Sequence, residues 1–160
     1  MYYNKIQVYG LPRSGTNFIE WTLRNNFVDV YYNITPEHIN DVEGSAPYWT
    51  DAKHCYPNLN HSEYAIVIYK EYDEWLKSIK RMGWVLNVSK ETHQKYIETA
   101  LKLDADKVIV VEHKWAVDNY YNLLDNISNK FGVKLVDNPI QPIKKVDMDA
   151  GISLTNVDYV

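Results

Sequence analysis

Two apolar runs, YAIVIY at 64–69 and KVIVVE at 107–112, constrain the fold more than any other feature of this chain. Neither alternates with polar residues, and both are rich in Val and Ile. A strand so built has both faces covered, as in a parallel sheet packed between helices. KIQVY (5–9) reads as a shorter strand that stops at Gly10, VDVYY (28–32) as a second, and VKLV (133–136) as the last. Helical spacing fills the intervals. Ile19, Leu23 and Phe27 share one face of a helix that begins near Gly15–Thr16. EYDEWLKSIKRM (71–82) forms another, and SKETHQKYIETALKL (89–103) a third with Ser89 as its cap. A longer helix is expected over 115–131, stopped by Gly132. The stretch 33–62, rich in Asn, Pro and His, reads as loop with one short helix, and 138–160 as an extended tail. The alternation predicts an α/β, three-layer architecture, a largely parallel sheet flanked by helices, in a single domain spanning 1–160.

Charge and cysteine content narrow the function classes. A formal net charge of −4 argues against a general nucleic-acid binder, which needs a basic surface for the phosphate backbone. A small anion needs only a few local cations. The single cysteine, Cys55, excludes an internal disulfide and fits a reducing cytoplasm. MYYNKIQVYG has no basic segment followed by an apolar run, so no signal peptide is expected. No apolar run approaches the roughly 20 residues of a membrane span. The 14 Tyr and 5 Trp could line a pocket, Trp49 and Trp84 among them, but Trp75 reads as core.

The chemistry concentrates in VYGLPRSGTNF (8–18). Such a strand-to-helix loop turns free N–H groups and the positive end of the helix dipole toward one point, which suits an anion. Gly10 and Gly15 keep the G-x-x-x-x-G spacing of a phosphate-binding loop, but Thr16 stands where the lysine that grips a triphosphate would be. Arg13 is the loop's only cation. Taken alone, the loop reads equally as an anion cradle or as a tight turn stiffened by Pro12.

PRSGT closely resembles the 5′-phosphosulfate loop of the sulfotransferases that use 3′-phosphoadenosine-5′-phosphosulfate (PAPS) as donor. That family's second signature is a strand ending in Arg with a Ser eight positions later. Here AIVIY is followed by Lys70, with Ser78 eight residues beyond. Lys53-His54-Cys55-Tyr56-Pro57 is similar to the family's Lys-x-His-x-Pro segment, and VVEHKWAVDN resembles its Tyr-Glu-Asp-Leu region. The matches run in family order over roughly residues 5 to 125.

The resemblance implies a P-loop nucleotide-binding type of fold and an enzyme that moves a sulfuryl group from PAPS to a hydroxyl or amine, on a small molecule or a glycan. No metal is implied. Arg13, Ser14, Gly15, Thr16 and Asn17 would hold the 5′-phosphosulfate, and Lys70 with Ser78 the 3′-phosphate. Arg13 would also neutralise the leaving group. His54 would be the general base, since an unperturbed imidazole titrates near neutral pH; Glu20 is a substitute base inside the first helix. Lys77 and Arg81 read as a solvated helix face. Lys70 departs from the family's Arg and lacks its planar fork. The chain is short, with only Lys144, Lys145 and Gly151 to stand for the family's closing loop. Two other readings stay open. A P-loop kinase would need a magnesium-binding carboxylate, for which Glu112 is the candidate, but Thr16 argues against it. The third is a non-catalytic protein that binds a nucleotide or a partner. Acceptor and oligomeric state are not legible.

Overall fold

The structure, a computed structural model, describes residues 4–32, 52–60, 62–84 and 88–142. Trp49, His61, Lys144, Lys145 and Gly151 lie outside them. Four parallel strands, β1 (Asn4–Tyr9), β3 (Val30–Tyr32), β4 (Tyr64–Tyr69) and β5 (Val108–Glu112), form one sheet in the order β3-β1-β4-β5. Helix α1 (Thr16–Asn26) follows β1, α2 (Tyr72–Arg81) and α3 (Lys90–Leu101) follow β4, and α4 (His113–Asp118) and α5 (Tyr120–Phe131) follow β5.

Strand alternation sorts the core into two layers. Ile6, Val8, Ile66, Ile68 and Val111 face α1, α4 and α5, whereas Tyr9, Ala65, Val67 and Val108 face α2 and α3. Both faces of the central strands are therefore apolar, which is why YAIVIY carries no polar alternation. Helices cover each side of the sheet, giving the three-layer α/β architecture read from the sequence. Ser89 caps α3, its hydroxyl accepting from the Thr92 N–H at 3.1 Å. Among the described residues no helix is long and apolar enough to cross a membrane.

Two expectations need correction. VDVYY is not one strand: Asp29 turns into the left-handed region (φ 55), separating β2 (Phe27–Val28) from β3. β2 instead pairs antiparallel with β6 (Lys134–Leu135), so the last strand lies outside the parallel sheet. The helix expected over 115–131 is broken at Asn119 (φ −124, ψ 44), whose side-chain amide and backbone N–H both donate to the Trp115 carbonyl. An Asn side chain that competes for helix carbonyls favours such a break.

Topology fixes where a ligand can approach. From β1 the chain reaches β3 on one side, while β4 lies on the other, so the carboxyl end of β1 sits where the winding reverses. Parallel α/β sheets bind ligands at such switch points. The segment 10–15 leaves the sheet there.

Candidate functional site

Backbone sterics shape the loop before any charge acts. A Cβ on Gly10 would come within 2.9 Å of the Ile68 carbonyl oxygen and 2.8 Å of the Thr16 methyl, so only glycine lets the loop lie against β4. Gly15 has φ 107, and a Cβ there would meet His113 Cδ2 at 2.6 Å. Between them Arg13 is held at φ 67, a conformation that non-glycine residues adopt at a cost of roughly 1–2 kcal/mol. Gly15 is the N-cap of α1, and no side chain caps the helix there.

Three neighbours hold the loop in place. The Trp75 indole N–H donates to the Pro12 carbonyl at 2.7 Å, tying α2 to the loop. Trp75 is fully buried, as expected of core, and packs against the rings of Tyr72 and His93. His93 is itself buried, which lowers its pKa, and bonds the Lys70 backbone at the β4–α2 junction. The short helical turn Ala52–His54 grips Gly10 from the other side. Gly10 N–H donates to the Lys53 carbonyl at 2.8 Å, and His54 Nδ1 lies 2.7 Å from the Gly10 carbonyl oxygen. Third, the His113 ring packs under Gly15 and edge-on to Phe18, at 5.6 Å.

Two cations flank the loop. Arg13 is half-buried, and its Nε is enclosed with no hydrogen-bond partner among the described residues. Burial lowers the Arg13 pKa, and the like charge of Arg81 lowers it further. Lys53 reaches over the start of α1, its ammonium 3.5 Å from Glu20 Oε1 and 3.4 Å from Asn17 Oδ1. Glu20 is thus an ion-pair partner of Lys53.

The structure brings Arg13 through Asn17 and His54 together around Gly10 and Gly15. Ser78 is buried on α2, one helical turn beyond the tryptophan that binds Pro12. Lys70 stands directly after β4, and Ser78 lies in α2, the helix that follows. Ser14, Thr16 and His54 are buried, so Asn17 is the exposed polar side chain of the loop's exit. Lys77 does lie on a solvated face, paired with Glu74 at 3.3 Å. Arg81, grouped with it from the sequence, is exposed as well, and its charge adds to the lowering of the Arg13 pKa. The Lys53 ammonium and the Trp75 indole N–H were missed. Lys53 was visible beside His54 in the sequence, but helical spacing alone shows only that Trp75 is core, not what its N–H binds.

A second charged group sits at the same sheet edge. Glu112 ends β5, opposite Tyr69 in the register with β4, and its carboxyl hydrogen-bonds that of Glu71. Partial burial raises the Glu112 pKa first, and the bond and charge of Glu71 raise it further. A cleft of about 420 Å³ beside β5, lined by Tyr69, Glu112, Trp115 and Asn126, opens next to this pair rather than over Arg13. Among the described residues no three His, Cys, Asp or Glu side chains gather into a metal-holding group.

No family model, no curated protein and no solved structure matches this chain.

Proposed function

We propose that this chain is a small PAPS-dependent sulfotransferase with a P-loop nucleotide-binding type of fold, acting in a reducing cytoplasm. One observation carries the reading: a half-buried Arg13 guanidinium, its Nε without a partner, in a glycine-bounded loop at the switch point of a parallel sheet. Such a group gains most from an oxyanion. Thr16 in place of the triphosphate-gripping lysine favours a phosphosulfate over a nucleoside triphosphate.

In this reading Arg13 and the N–H groups of Ser14 to Asn17 hold the 5′-phosphosulfate, and Lys70 with Ser78 the 3′-phosphate. A carbonyl oxygen only accepts, so the His54 nitrogen facing Gly10 carries the proton and Nε2 is the basic atom of the neutral ring. The acceptor's hydroxyl or amine attacks sulfur in line and its proton passes to Nε2. The sulfur–oxygen bond to the 5′-phosphate breaks, and 3′-phosphoadenosine 5′-phosphate (PAP) leaves with the electron pair. Arg13 stabilises the charge that builds on the bridging oxygen. The acceptor is a small molecule or a glycan.

The neighbouring Glu71 and Glu112 carboxyls support a second reading, a magnesium-dependent phosphotransferase in which they would hold the cation. Melting curves with PAP and with magnesium ATP separate the two. Stabilisation by PAP alone is expected; stabilisation by magnesium ATP alone would sink the first reading. His54→Asn keeps a donor toward Gly10, so it should retain PAP binding while losing sulfuryl transfer from PAPS. Retention of both would remove His54 from the chemistry.

A further inference from the structure

The two outer strands of the parallel sheet are finished differently. β3 has three residues and follows the left-handed turn at Asp29, a short, kinked edge of the kind that resists further pairing. β5 has five residues in unbroken register with β4, no Pro, and a single charge at its last position, Glu112. It pairs with β4 on one side, and no strand among the described residues pairs with the other. Such an edge is a template for a further strand.

The register shows which groups the edge offers. The Ala65 N–H donates to the Lys107 carbonyl at 3.0 Å, and successive residues of a paired strand turn their backbone groups to opposite sides. Ile109 and Val111 therefore face β4, whereas Val108, Val110 and Glu112 present theirs outward. Neither the N–H nor the carbonyl of Val110 has a partner among the described residues. Open clefts follow the strand along its length, one of about 420 Å³ toward Glu112 and one of about 510 Å³ toward Val108. Ile109 and Val110 line both, and the exposed Asn126, Asn129 and Lys130 of α5 form the polar wall. An apolar floor with a polar rim is the anatomy of a protein–protein contact.

Charge names the occupant. The neighbouring carboxyls of Glu112 and Glu71 stand at one end of this edge. Lys130 stands at the other, its ammonium 2.8 Å from the Ala105 carbonyl oxygen and 3.5 Å from that of Val108. The edge is thus acidic at one end and basic at the other. A copy of itself running antiparallel meets it with both signs reversed.

We propose that the outer edge of β5 pairs with the same edge of a second copy, antiparallel about a two-fold axis at Val110, so that two four-stranded sheets become one of eight. This register sets Val110 opposite itself and Val108 opposite the copy's Glu112, which places every outward residue in a hydrogen-bonded pair. It also lays the Glu71 and Glu112 carboxyls of each copy beside Lys130 of the other. The pairing uses neither the loop after β1 nor its ligand, and so stands apart from sulfuryl transfer. A Glu112 substitution acts through Glu71 in the separated chain and through Lys130 in the dimer, and dilution tells the two apart.

Sedimentation equilibrium of the full chain should show a mass that rises from one copy to two with concentration. Val110→Pro removes an N–H that β4 does not use and sets a ring on the pairing edge, so the dissociation constant should rise at least about tenfold. Lys130→Glu and Glu112→Lys each bring like charges together at both ends, and each alone should dimerise about tenfold more weakly. Mixed in equal amounts, these two variants should pair as tightly as the unsubstituted chain, because every charge then meets its opposite. Rescue on mixing excludes misfolding as the cause of the loss.

The proposal is overturned if the unsubstituted chain stays single at about 1 mM. It also fails if a dimer forms but ignores Val110→Pro, or if the two charge variants do not rescue each other, since another face would then be pairing. A single-copy chain whose Val110 amide nonetheless exchanges slowly with solvent would assign the edge to another segment of the same chain, and would overturn it too.

Discussion

Two strands at the same edge of one sheet hand over to helices in opposite ways. After β1 the chain makes the loop Gly10 to Gly15, with left-handed backbone at Arg13 and Gly15, before α1 begins. After β5 there is no loop: Glu112 is both the last strand residue and the N-cap of α4. The first junction carries a half-buried cation without a described counter-charge, and the second a carboxyl that shares a hydrogen bond with Glu71. The loop's length makes the difference. It sets Arg13 and the Gly15 turn between strand and helix, whereas at the direct junction Glu112 itself ends the strand and begins the helix. His113 joins the two, because its ring packs under Gly15.

The largest test of this contrast is Gly15→Ala. The new Cβ would stand 2.6 Å from His113 Cδ2 at φ 107, combining left-handed strain with overpacking. A loss of about 2–4 kcal/mol is expected, read as a lower denaturant midpoint at unchanged slope. In a His113→Ala background only the backbone strain remains, so the same substitution should cost about 1–2 kcal/mol. Equal costs in both backgrounds would mean that the junctions do not touch. Gly83→Ala gives the reference for strain alone, at φ 73 with nothing within 4 Å.

Trp75→Phe comes next. It keeps an aromatic ring in the core but leaves the buried Pro12 carbonyl without its donor. About 1–3 kcal/mol should be lost, together with weaker PAP binding as the loop loosens from α2. An unchanged midpoint would show that the loop holds its shape without this latch.

The same contrast explains what was legible in the sequence. The β1 junction announces itself because glycine at both ends and a lone arginine between them are rare local choices with local reasons. The strands were legible for the same kind of reason: YAIVIY and KVIVVE state their burial in their own composition. What depends on contacts across the chain was not. Asp29 reads as a strand residue until its left-handed backbone sends Phe27 and Val28 to pair with β6. Asn119 looks like helix surface until its amide takes the Trp115 carbonyl. The Glu71–Glu112 bond joins residues that the sequence places 41 positions apart.

The smallest effect, and the one that separates the two junctions most directly, concerns Glu112. Its pKa in the folded chain lies above the ordinary value of 4.5, from partial burial first and Glu71 second. A carboxyl raised on folding contributes stability that is present below its unfolded pKa and lost as pH rises through the folded one. Glu112→Gln should therefore be more stable than the unsubstituted chain at pH 7, and the gap should close as pH falls below 4.5. The group is largely open to solvent, so the gain stays under about 1 kcal/mol. Glu71→Gln should act with the same sign, and the double substitution should give less than the sum, because either one removes the repulsion. A gain that persists at pH 4 would mean that packing, not charge, is responsible. Glu112→Gln should leave PAP affinity as it was. If Glu112→Gln instead abolishes stabilisation by magnesium ATP, the junction after β5 is the one that works on the substrate.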